Sequence, residues 1–102
     1  MSSWDLIDQK LIEWECDPSQ LSDEGVEPPS GETILTAIEW AKHFRKDGKP
    51  SPDSVVPDAN GGIVFERREK GVSEVLHVWD DGSVEYQRFH GTRLVERQML
   101  NR

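Results

Sequence analysis

The chain has 102 residues, of which 34% are hydrophobic and 31% charged, and it carries a net charge of −8. That length holds one small domain, near the lower range where a single core suffices, and the modest apolar share implies that part of the chain stays outside the core. The charge is uneven: residues 1–32 carry nine carboxylates and one lysine, while residues 33–102 carry eleven of each sign. All the excess negative charge lies in the first third, which argues against a domain that binds nucleic acid through its phosphates.

One cysteine, Cys16, excludes an internal disulfide framework and fits a reducing compartment. The N-terminus is acidic and has no unbroken apolar run, so neither a signal peptide nor a membrane span is expected there. A soluble cytoplasmic protein is the plain expectation.

In chain order, Ser2, Ser3 and Asp5 give a helix N-terminus with capping-box character. Trp4, Ile7, Leu11 and Trp14 follow at three- and four-residue steps and fall within an arc of about 80°. Residues 1–15 therefore read as a short acidic amphipathic arm whose stripe needs a dock, since so short a helix is marginal alone. Residues 16–30 change to a proline-bearing, aperiodic composition and read as a flexible linker.

A second helix is predicted from about Gly31 to Asp47, with Ser30 as N-cap, Glu32 in the first turn and Gly48 ending it. Ile34, Ala37, Ile38, Trp40, Ala41 and Phe44 form one wide stripe, with Thr36, Glu39 and His43 opposite. Residues 49–62 join helix to sheet through three prolines and are expected to be extended, with Val55 and Val56 at the edge of the core.

Residues 61–89 read as a three-stranded antiparallel meander. Asp81-Gly82 between apolar-rich runs signals a hairpin. A three-residue loop with a left-handed Gly82 pairs Val78 with Val84 and Leu76 with Tyr86; a two-residue loop scatters the apolar set over both faces. At the first turn a two-residue Lys70-Gly71 loop pairs Phe65 with Leu76, Ile63 with Val78 and Arg67 with Glu74, whereas a three-residue loop opposes Glu66 and Glu74. One face then carries Ile63, Phe65, Leu76, Val78, Val84 and Tyr86, which the second helix should cover. The other carries Val64, Glu66, Arg68, Val75, His77, Trp79, Glu85, Gln87 and Phe89, half apolar and unusual for a face meant only for water. The RLVERQML run after His90-Gly91-Thr92 fits a fourth strand or a short helix, with the strand preferred.

Motifs that carry chemistry are scarce. Cys16 lies in an acidic stretch that disfavours a thiolate. His77 and His90 have no metal-ligand spacing. Asp58-Ala59-Asn60-Gly61 resembles the opening of a calcium loop without its closing glutamate and reads better as a turn. Phosphate-cradling loops are absent from the sequence, and GGIVFERR lacks the spacing of an RNA-recognition strand. No catalytic, cofactor or metal residue is assigned.

PDANGGIVFE followed by DGSVEY resembles a pattern in small bacterial proteins of unknown function, over roughly residues 33–89. There a helix and proline-rich loop lead into a Gly-Gly-Ile-x-Phe-Glu strand and an Asp-Gly hairpin. The resemblance implies an antiparallel meander and brings no activity; an antitoxin-like role beside a partner protein follows by analogy alone.

The expectation is an α+β fold: a three- or four-stranded antiparallel meander with one helix on one face, spanning residues 31–102, preceded by the acidic arm. The expected function is a non-enzymatic protein–protein interaction module, with a basic protein as target of the arm and a homodimer also allowed, and neither membrane nor nucleic acid as partner. Its candidate partner-binding residues are Trp4, Ile7, Leu11 and Trp14 on the arm and Val75, His77, Trp79 and Phe89 on the sheet; an arm left open until a partner arrives is preferred to one folded back on the outer face of its own sheet or a twin's. The alternative is a small-molecule-binding or enzyme domain whose site a second subunit completes; a hollow containing His77 and Glu85 would favour it.

Overall fold

The structure is a computed structural model and describes residues 3–17, 29–58 and 60–100. Among the described residues two helices, α1 (Ser3–Cys16) and α2 (Gly31–Lys46), precede five strands: β1 (Ser54–Pro57), β2 (Ile63–Glu69), β3 (Val72–Val78), β4 (Val84–His90) and β5 (Arg93–Leu100). The strands form one antiparallel sheet in the order β1-β2-β3-β4-β5. The fold is α+β, with five strands where three or four were expected. Most of the linker span, residues 18–28, lies outside the described residues.

The turns set the register as their chemistry requires. Lys70 and Gly71 both take positive φ, 51° and 80°, so a two-residue loop joins β2 to β3 and Phe65 faces Leu76. Gly82 has φ 90°, its N–H bonds to Trp79 O and the Trp79 N–H bonds to Ser83 O, which closes a three-residue loop and sets Val78 opposite Val84. Gly91 and Thr92 turn the chain into β5, a strand as preferred, and the Gly91 N–H also bonds to Gly71 O. Pairing along β4 passes from Arg88–Glu96 to Phe89–Leu94, so Val95 is the extra residue of a bulge. β1 was missed because prolines flank and end it; it survives at the edge, where Pro57 need not donate to a further strand.

Ser30 caps α2, its hydroxyl accepting from the Thr33 N–H. At the other end Gly48 N–H bonds to Arg45 O and Lys49 N–H to Phe44 O, with Gly48 at φ 78°, a Schellman closure. α2 lies over the inner face of the sheet, and Ile34, Ala37, Trp40 and Ala41 share one core with Val55, Ile63, Phe65, Leu76, Val78 and Val84.

The arm is closed. Ile7, Leu11 and Trp14 are buried in that same core, Trp4 packs against it, and α1 lies against α2 and β1. This corrects the expectation that the stripe stays open, and it differs also from a dock on the outer sheet face. The buried arc of α2 from Trp40 to Ile38 spans about 160° at 100° per residue, wide enough to touch a sheet and a second helix. Charge adds to the apolar fit. Arg45 lies 3.0 Å from Asp5 and 3.2 Å from Asp8, so the start of α1 meets the end of α2, where the two helix dipoles also attract. The neutrality of residues 33–102 as a sum concealed this local attractor.

Candidate functional site

The outer face of the sheet is the surface on which the sequence places candidate residues and over which no described helix lies. Register sets one row across it: Val56, Val64, His77, Glu85 and Met99. Beside it run Glu66, Val75, Gln87 and Arg97, and then Arg68, Ser73, Phe89 and Leu94.

The row is held by polar contacts that begin in the β1–β2 turn. Asp58 Oδ1 accepts from the backbone N–H groups of Asn60 and Gly62, each at 2.7 Å, while Oδ2 lies 2.6 Å from His77 Nε2. Gly62 makes this possible: a Cβ there would sit 2.2 Å from Asp58 Oδ2 and 2.7 Å from the Val78 carbonyl oxygen. Burial pushes the Asp58 carboxyl upward, but hydrogen bonds from His77, Gly62 and Asn60, with the His77 charge, pull harder and leave it below its ordinary value. The His77 ring stacks on Trp79, centroids 3.6 Å apart and planes at 17°. With Nε2 on Asp58 and a ring face on Trp79, His77 is a fixed strut.

Glu85 stands opposite His77 and is 2% exposed, a charge withdrawn from water in the middle of the face. Two donors compensate it: Gln87 Nε2 to Oε1 and Arg97 Nε to Oε2, both at 2.6 Å. Among the described residues no group of three metal-ligating side chains converges, and no helix is long and apolar enough to cross a membrane.

The predicted site residues separate into two groups. Val75, His77, Trp79 and Phe89 do share the outer face, half-buried. Ile7, Leu11 and Trp14 are core residues on the inner side, and Trp4 donates its indole N–H to Lys49 O at 3.0 Å. Sequence reasoning placed Glu85 on this face and preferred a strand for β5, but it missed Asp58 and Arg97 as parts of the face and the edge that β5 forms, which exposes Leu94 (45%), Val95 (41%) and Met99 (51%). The signal for β5 was its alternation; nothing in the sequence pointed to the pairing of Asp58 with His77 across nineteen positions.

A hollow lies elsewhere. A groove of about 390 Å³ opens over the inner face at the end of α2, and neither His77 nor Glu85 lines it. Compared with known protein families, characterised proteins and solved structures, the chain matches none.

Proposed function

We propose that the protein is a non-enzymatic module that binds another protein, and that it does so by taking an extended segment of that partner as a further strand on β5. The observation that carries this reading is the edge itself. β5 is eight residues long, has among the described residues a neighbour on one side alone, and exposes three large apolar side chains beside the half-apolar outer face. An edge of that kind pairs readily with another chain unless it is covered. The opposite edge, β1, has four residues and ends in proline.

A second copy of this chain fits the edge less well. Antiparallel β5–β5 pairing centred on Glu96 sets that carboxylate against its twin, and pairing centred on Arg97 opposes two guanidinium groups. The basic partner remains part of the proposal through the outward side of α1, where Glu13 and Glu15 are exposed; they would speed encounter with a positive surface.

The test is capture of the partner from the native cell, followed by amide exchange on the purified complex. The expected result is protection along residues 93–100 on binding, with capture abolished in a Leu94→Lys, Met99→Lys variant. Undiminished capture by that variant, or unchanged exchange along β5 in the complex, would overturn the proposal. The second reading, small-molecule binding, is favoured by the groove over the inner face.

A further inference from the structure

The groove at the end of α2 has an apolar body and a charged rim. Phe65, Leu76 and Tyr86 of the inner sheet face form its floor, and Trp4 and Phe44 stand beside them. Its volume, about 390 Å³, lies in the range of small-molecule sites and above what a few waters need. Lys49, Arg67 and Arg88 line it, against two carboxylates, Glu74 and Glu96. Cations outnumber carboxylates by one among the lining residues, and Glu69, just outside, pairs with Arg67 and offsets that difference.

The carboxylates of the rim are already matched. Glu96 Oε1 lies 3.0 Å from Arg88 Nη2, and Glu74 Oε2 lies 4.0 Å from Arg67 Nη1. Arg67 is engaged twice, by Glu74 and by Glu69 outside the groove, but Arg88 is not used up. Among the described residues Arg88 meets one carboxylate, through Nη2, and its buried Nε has no acceptor at all. A guanidinium carries five N–H donors, so Arg88 has capacity for a second carboxylate once its side chain turns toward the opening. Tyr86 adds a hydroxyl: burial, then the nearby Glu74 and Glu96, raise its pKa, so the phenol keeps its proton and can donate.

We propose that this groove is a binding site for a small monocarboxylic acid with an apolar, preferably aromatic, body. The carboxylate pairs with Arg88 at the rim and the body lies between Phe44 and the Phe65–Tyr86 floor. A cationic ligand would find both rim carboxylates, Glu74 and Glu96, already paired with arginines. A compact, fully polar anion would leave the apolar floor without a partner and have nothing to bury.

The experiment uses the full chain and three matched probes: 4-phenylbutyrate, its neutral amide, and 4-phenylbutylamine. Amide-resolved NMR titration and calorimetry are run on the wild type, Arg88→Met and Arg88→Lys. The expected result is saturable binding of the acid with shifts at Phe44, Tyr86 and Arg88, and binding of amide and amine roughly tenfold weaker or more. Arg88→Met lowers affinity for the acid by a similar factor and leaves the amide unchanged, while Arg88→Lys retains part of the preference. Equal binding of acid and amide, a preference for the amine, or no saturable shift at millimolar acid would each overturn the site. Glu96 and Leu100 of β5 line the groove, but acid binding is read on the isolated chain and strand addition on the partner complex, so the two proposals fail on different results.

Discussion

The two faces of one sheet are built from the same strands and the same alternation, yet they end differently. The inner face is sealed where α2 covers it, with Ile63, Phe65, Val78 and Val84 each 5% exposed or less, and opens at the groove beyond the end of α2. The outer face keeps Val64, Val75, Trp79 and Phe89 half-buried and places an ion-paired glutamate among them. The inner face is held by apolar burial and the outer one by a chain of directed polar contacts. Mutations should therefore be costly on one face and mild on the other.

The sharpest test of that contrast is Phe65→Ala, which should cost about 3–5 kcal/mol, the range for a buried phenylalanine and a large part of the stability of so small a domain. His77→Ala should cost about 1–2 kcal/mol, the loss of one partly buried hydrogen bond and a ring contact. Equal losses in urea unfolding would break the comparison. Leu11→Ala extends the inner face to α1: Leu11 is 0% exposed, and about 2–5 kcal/mol is expected. Leu6, 57% exposed on the same helix, should tolerate alanine within about 0.5 kcal/mol. If both leucine variants were neutral, the closed arm would be wrong.

Gly62→Ala probes the outer face, because its new methyl meets the Asp58 carboxylate and a backbone carbonyl. A loss of roughly 1–3 kcal/mol is expected, together with disruption of the Asp58–His77 contact in histidine NMR spectra. Gly82→Val should cost about 1 kcal/mol or more, since φ is 90° there; direct cross-strand contacts between Trp79 and Val84 would instead show a different register. The smallest effect is that of pH. The folded Asp58 pKa lies below its ordinary 3.8, so its ionised form stabilises the fold above that pH, and the contribution is lost as pH falls through the depressed value. Wild type should lose more stability than Asp58→Asn over that acidic window. Parallel acid limbs in the two proteins would remove the assigned role.

What the sequence disclosed was mostly local. Asp81-Gly82 and the like-charge penalty at Glu66 and Glu74 were enough to set both hairpin registers, because side-chain parity leaves few alternatives. The second helix was legible from Ser30 and Gly48 as well as from its stripe. Longer-range features were not. The dock of α1 depends on where Arg45 sits at a helix end, which a charge sum over residues 33–102 averages away. β1 was hidden by its prolines. On the outer face the half-apolar composition was visible, but the Asp58–His77–Trp79 strut needed a glycine at position 62 whose role appears only when two turns are folded together.

Strand order equal to chain order has a kinetic consequence. The β2–β3 and β4–β5 connections are two-residue turns and the β3–β4 loop is scarcely longer, so each pairing closes a short loop and forfeits little chain entropy. Contact order within the sheet is low for a β structure, which favours rapid assembly from adjacent hairpins. The α1 contacts are of another kind: Asp8 and Arg45 are 37 positions apart, and Trp4 and Lys49 are 45 apart. Of the described elements α1 is thus made before the others and yet docks late, its apolar stripe waiting for the end of α2 to be made.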